Sequence, residues 1–168
     1  MKKTIVLALA LMLTLSLAVP AAAVTSPAAP ETSQTTTAPL PKLVLSEIPL
    51  EDGAKIVIEL LPVTDVSSLS EGDLKAFTAA QASLGGATPD GMKVQYFFYV
   101  MTYKVNADGT TEPYEPPVDI SVQIDNIIKV AVKQYLKDAW GELETDMTTD
   151  GVVTIKGVVD GPMAIFTA

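Results

Sequence analysis

Between Val118 and Asp125 the chain alternates strictly, with Val118, Ile120, Val122 and Ile124 on one side and Asp119, Ser121, Gln123 and Asp125 on the other. A period of two is the mark of a strand with one face on a core and one in water. A second such strand follows Asp150-Gly151, with Val153, Ile155 and Val159 inward and Thr154 and Lys156 outward. The run Pro162-Met163-Ala164-Ile165-Phe166 closes the pattern. Upstream, Lys93 to Val105 reads as one long strand. Val94, Tyr96, Phe98 and Val100 face one way and Phe97, Tyr99, Met101 and Tyr103 the other, so both faces are apolar and both call for a cover, from a helix or a second sheet. Lys55 to Leu61 is a strand ended by Pro62, and Leu43-Val44-Leu45 a short one, with Glu51-Asp52-Gly53 as the turn between them. Further turns fall at Thr88-Pro89-Asp90-Gly91 and Asn106-Ala107-Asp108-Gly109.

One segment has helical character throughout. Ser70 to Leu84 opens with a capping pair, Ser70 and Asp73, and Gly85-Gly86 is placed to close it. Its apolar stripe (Leu74, Phe77, Gln81, Leu84) is narrow, which predicts a helix laid across one edge or end of a sheet. Gly72 in the first turn weakens it slightly. Ile127 to Leu143 is ambiguous. Ile128, Val132, Tyr135, Ala139 and Leu143 fit a helical face, and strand alternation fits only loosely.

From Pro117 onward the order of features resembles a β-sandwich module of secreted and surface proteins of Gram-positive bacteria. The matching positions are Pro117-Val118, Tyr135, Trp140, Asp150-Gly151 and Pro162-Met163-Ala164-Ile165-Phe166. The helix and long aromatic strand upstream match more loosely. The chain departs from the pattern at Gly161, where Ser is usual, and at Met163, where an aromatic is usual. The resemblance implies a hairpin from Lys129 to Leu136 and Trp140 to Glu144, turning at Lys137-Asp138-Ala139. The motif is structural, so it implies a fold and no activity. The expected fold class is therefore mostly β with one helix, as a two-layer immunoglobulin-like β-sandwich.

The N-terminal end changes the picture. Lys2 and Lys3 precede an apolar run, Ile5 to Val19, and Pro20 and Ala21-Ala22-Ala23 supply a cleavage site. This has the form of a secretory signal peptide over residues 1–23, with a retained leader acting as anchor as the alternative. The run is short for a membrane span of about 20 residues. Residues 24–42, rich in Thr, Pro and Ala, read as an extended linker, either a spacer that could carry glycans or a processing remnant. A single β-rich domain is expected over 43–168. The expected product is secreted or surface-associated, with no membrane insertion once the leader is removed.

Charge narrows the partners. The 11 cations are all lysines, two of them in the leader, against 20 acids, so the product after cleavage carries 9 − 20 = −11. Such a surface repels nucleic acid and anionic lipid and leaves an extracellular protein or a glycan as the expected partner. There is no Cys, His or Arg. That removes Ser-His and Cys-His nucleophiles, imidazole or thiolate zinc sites and the arginine fork for phosphate. No phosphate-binding Gly loop or dinucleotide fingerprint occurs. No catalytic residues and no cofactor are expected.

Three weaker constellations remain. Phe97, Tyr99, Tyr103 and Trp140 could form an aromatic platform for a sugar ring, against the ordinary reading of rings packed in a core. Asn106, Asp108 and Glu112 around Gly109 faintly resemble a calcium loop, although Lys104 stands where a first carboxylate belongs, and Asp146 with Asp150 is a second calcium candidate. Turn duty is the simpler reading of both. Glu142, Glu144 and Asp146 near Trp140 are the densest acids for a glycoside-cleaving pair, or plain solvated positions of a hairpin. The expected function is a non-enzymatic extracellular module, with a carbohydrate-binding module or an acid-pair hydrolase as alternatives.

Overall fold

The computed structural model describes residues 40–168. The expected signal peptide, and the expected linker up to residue 39, lie outside the described residues. Within them Leu40 packs on the core and Pro41 is buried. The strands are β1 (Lys42–Leu43), β2 (Glu47–Pro49), β3 (Lys55–Pro62), β4 (Lys93–Val105), β5 (Thr111–Pro113), β6 (Val118–Gln123), β7 (Val130–Leu136), β8 (Ala139–Leu143), β9 (Thr145–Met147), β10 (Val152–Val158) and β11 (Gly161–Thr167). Between β3 and β4 lies the helix α1 (Glu71–Ala87).

Two antiparallel sheets form a sandwich-like body. The smaller runs β1-β6-β10-β9, and the larger β2-β3-β4-β11-β7-β8 with β5 added to β4. Ile120, Val122 and Ile124 meet Val153 and Ile155 beside them, and Phe98, Val100, Val132, Met163 and Ile165 from the larger sheet. That is the core between the layers, and it follows directly from the alternation of β6. The far face of the larger sheet makes a second core under α1. Phe97, Tyr99, Tyr135, Ala164 and Phe166 pack there against Phe77, Ala80, Leu84 and Ala87. β4 and β11 are covered on both sides, as their two apolar faces demand.

The ends of both sheets are joined by chain segments common to the two. Lys42–Pro49 starts on β6 as β1 and crosses to β3 as β2, with the Ser46 carbonyl accepting from Ile58 N on the way. On the opposite side Ala139–Met147 leaves β7 as β8 and joins β10 as β9, with the Glu144 carbonyl accepting from Lys156 N. Short edges of this kind limit unwanted strand pairing.

Three expectations need correction. The helix does not stop at Gly85-Gly86. It runs through both to Ala87, because Ala87 is buried in the second core and Lys133 Nζ donates to its carbonyl at 2.7 Å. Its buried stripe is Phe77, Ala80, Leu84 and Ala87, while Leu74 is 38% exposed, so α1 lies across a sheet face and not an edge. In β10 the inward residue near the end is Val158, not Val159. The register shifts between Ile155 and Val158 around Gly157, which sits at φ 69° and donates its N–H to Asp119 Oδ1 at 3.0 Å. The bulge adds one residue and flips the alternation.

The ambiguous segment is a hairpin. β7 and β8 pair from Val132 with Leu143 to Leu136 with Ala139, and the turn residues Lys137 and Asp138 have φ of 51° and 63°. Positive φ at both turn positions is the geometry of a tight two-residue hairpin. The helical spacing of Ile128 misled, since that side chain is 87% exposed.

Candidate functional site

The aromatic residues singled out in the sequence do come together, but around α1. Phe97 is 7% and Tyr99 4% exposed. Phe77 stacks on Phe97 with ring centres 4.7 Å apart, and Trp140 stands 6.3 Å from Phe97 and edge-on to Tyr135 at 5.4 Å. Trp140 Nε1 donates to Ser83 Oγ of the helix at 3.0 Å. This is the packing that fastens α1 to the sheet, and it takes Phe97 and Tyr99 out of reach of a sugar face. Tyr103 lies apart, further along β4 between Val57 and Pro113.

The calcium residues are engaged by their own turn. Asp108 Oδ1 accepts from Thr110 N at 3.0 Å and Thr110 Oγ1 at 2.6 Å, which holds its carboxyl below the usual value. Asn106 Nδ2 donates to Thr110 Oγ1, and Glu112 faces Lys104 at 3.7 Å. Lys104 also lies 3.5 Å from Asp52. Among the described residues, no three His, Cys, Asp or Glu side chains gather closely enough to hold a metal. Of the remaining acids, Glu144 and Asp146 both bind Lys156 Nζ, at 2.6 and 2.9 Å, and so push its pKa up. Glu142 is exposed on β8 opposite Lys133, and Asp150 is an exposed turn residue.

A different acidic cleft, of about 180 Å³, opens between the first turn of α1, the β7–β8 turn and the β10–β11 junction. Asp73 and Tyr99 form one wall and Asp160 the other, with Lys137 and Asp138 at the turn. Asp73 does double duty. Its Oδ2 accepts from Ser70 Oγ at 2.6 Å, Ser70 Oγ accepts from Asp73 N at 3.2 Å, and Oδ1 accepts from the Tyr99 hydroxyl at 2.8 Å. Burial raises the Tyr99 pKa, and its bond to Asp73 raises it further. The phenol is locked as a donor. Asp160 reaches into β4, where its Oδ1 accepts from Thr102 N at 2.7 Å and from Thr102 Oγ1. Next to it the buried Gln134 binds both backbone groups of Val159, pinning the crossing between the sheets.

Asp73 is legible in the sequence as a helix cap and nothing more. Asp160 carries no sequence signal beyond Asp-Gly at a turn. Only the crossing of the chain from one sheet to the other aims its side chain at Thr102. Chemically, each carboxylate is held by donors of the fold itself, which suits positioning more than proton transfer to a substrate. A second, larger trough of about 580 Å³ lies between Ile124–Ile127 and Met147–Gly151. Backbone groups of its lining bond one another, as in Ile124 N to the Gly151 carbonyl at 2.9 Å. No helix among the described residues is long and apolar enough to cross a membrane. No family model matches this chain, and searches of curated proteins and of solved structures found no match.

Proposed function

We propose that this protein is an exported, non-enzymatic interaction or structural module of the cell surface or extracellular space, built on an immunoglobulin-like sandwich. Strand order supports the fold. The smaller sheet, β1-β6-β10-β9, follows the order A-B-E-D of an immunoglobulin domain, and β8-β7-β11 follow C′-C-F. The G position beside F is taken by β4, which comes earlier in the chain, and β3 and β2 extend the sheet beyond it. Trp140 sits on β8, where antibody domains carry their tryptophan on C, and the chain has no cysteine for an inter-sheet disulfide. The apolar leader of the sequence supports export, as does the resemblance to secreted Gram-positive modules. An excess of acids keeps such a module soluble and monodisperse outside the cell.

The observation that carries the reading is how the reactive side chains are used. The aromatic cluster binds the helix, the acids Glu144 and Asp146 bind Lys156, and Asp73 and Asp160 brace the fold. To test it, the full chain is expressed in a Gram-positive host, and the protein recovered outside the cell is incubated with isolated cell wall and soluble polysaccharides. The expected result is recovery of a product starting near Val24, with no release of reducing ends. Cytoplasmic retention of the intact chain would contradict export. Release of reducing ends abolished by Asp73→Asn or Asp160→Asn would make it an enzyme.

A further inference from the structure

The contacts of Thr102 raise a question of proton number. Its side chain is buried at 2% exposure, and its Oγ1 lies 2.8 Å from the Tyr114 carbonyl and 2.5 Å from Asp160 Oδ1. A hydroxyl has one proton to donate, and both of these neighbours are acceptors when Asp160 is ionised. One of the two contacts then joins two lone pairs with no hydrogen between them. A second proton, on Asp160, resolves this. The carboxylic acid donates to Thr102 Oγ1, and the Thr102 hydroxyl is freed to donate to Tyr114.

We propose that Asp160, Thr102 and Tyr114 form a proton-operated latch, in which protonation of Asp160 turns the Thr102 hydroxyl onto the Tyr114 carbonyl and fastens the β5–β6 connection to β4. With Asp160 ionised the hydroxyl turns back to the carboxylate. The Tyr114 carbonyl loses that donor, and its residue keeps only the bond from its own N–H to the Thr102 carbonyl, at 3.2 Å. Three separate parts of the chain meet at this point: the β10–β11 junction through Asp160, β4 through Thr102, and the Pro-flanked approach to β6 through Tyr114. Asp160 is reached by solvent from its cleft side, so the proton comes from water.

The surroundings favour the protonated form. Facing Asp160 across the cleft are Asp73 from α1, Tyr99 from β4, Tyr135 from β7, and Lys137 and Asp138 from the turn. Tyr99 is neutral at physiological pH, and Lys137 is exposed, as is Asp138. Burial pushes the Asp160 pKa up, the two bonds from Thr102 oppose this, and the charge of Asp73 adds to the rise. A carboxyl whose folded-state pKa lies above its unfolded value binds its proton more tightly in the folded protein. Its contribution to stability is therefore present at low pH and lost as pH rises through the folded pKa. The latch closes in acid and opens towards neutrality.

The test is a carbon-13 NMR titration of the full chain from pH 7 to pH 3, following the Asp160 carboxyl and the Tyr114 carbonyl. The expected result is one shared midpoint above 3.8, the ordinary aspartate value. In Thr102→Val the Asp160 signal still titrates and the Tyr114 signal stays flat. In Asp160→Asn, which has no carboxyl proton to gain or lose, the Tyr114 signal likewise stays flat from pH 7 to pH 3. A Tyr114 shift that does not follow Asp160 in the unmodified chain would overturn the proposal, and so would a shared midpoint at or below 3.8. The unmodified chain alone decides between these outcomes, should either variant fold poorly.

Discussion

Gly151 is a position where one methyl group decides the matter. It sits at φ 80° in the β9–β10 turn, and a Cβ there would stand 2.5 Å from the Ile124 carbonyl oxygen, well inside contact distance. Gly157 has a comparable φ of 69° but open space around it. The pair separates backbone strain from steric clash. Gly151→Ala is expected to cost about 3 kcal/mol and Gly157→Ala about 1 kcal/mol, since strain in this region amounts to 1–3 kcal/mol and the clash adds to it. Denaturant unfolding of the two variants measures both; equal losses would show that the close approach to Ile124 is absent. Asp150-Gly151 announces its turn in the sequence, because Asp-Gly favours positive φ. The closeness of Ile124 is invisible there, since it depends on how β6 ends. The same holds for Asp160, whose neighbour Thr102 lies 58 positions away in the chain.

At the scale of elements, legibility followed the strength of local pattern. β6 appears at its expected position because period-two alternation over six residues has one reading, and β4 because a long run rich in aromatic and β-branched residues between two turns reads as a strand apolar on both faces. The helix start was legible too, as Ser70 and Asp73 cap it through local bonds. Its end was not. Gly85 and Gly86 are poor helix formers, each about 1 kcal/mol worse than Ala, and local rules end the helix there. Burial of Ala87 against the sheet and the bond from Lys133 outweigh that cost. The two glycines are exposed and have no atom within 4 Å of an added Cβ. Gly85→Ala and Gly86→Ala should therefore each raise stability by about 1 kcal/mol, seen as a higher denaturation midpoint with an unchanged slope. Loss of stability in both would mean that the helix does end at Gly85. The hairpin of β7 and β8 is the opposite case. Its periodicity favoured a helix, and what decided it was cross-strand partners on β11 and β8 that no window of sequence contains.

For the whole molecule, the larger sheet is the centre, with a core on each face, and β11 is its spine. All seven residues of β11 are buried, paired on one side with β4 and on the other with β7. That Pro162 to Phe166 is apolar was plain from the sequence. That it stands between β4, from upstream of Pro117, and β7, from downstream of it, was not, because pairing order is a property of the closed fold. The candidate site shows the same division. The rings Phe97, Tyr99 and Trp140 were found by residue type and the cleft acid Asp160 was not, while the docking of the helix over the rings and the crossing that aims Asp160 emerge only once both layers are assembled.

The most direct measurement is the pattern of cross-strand nuclear Overhauser contacts from Gly161–Thr167. This fold requires backbone contacts from Met163 to Phe98 on one side and to Gln134 on the other. Contacts on one side only, or sequential amide–amide contacts marking residues 127–143 as a helix, would contradict it.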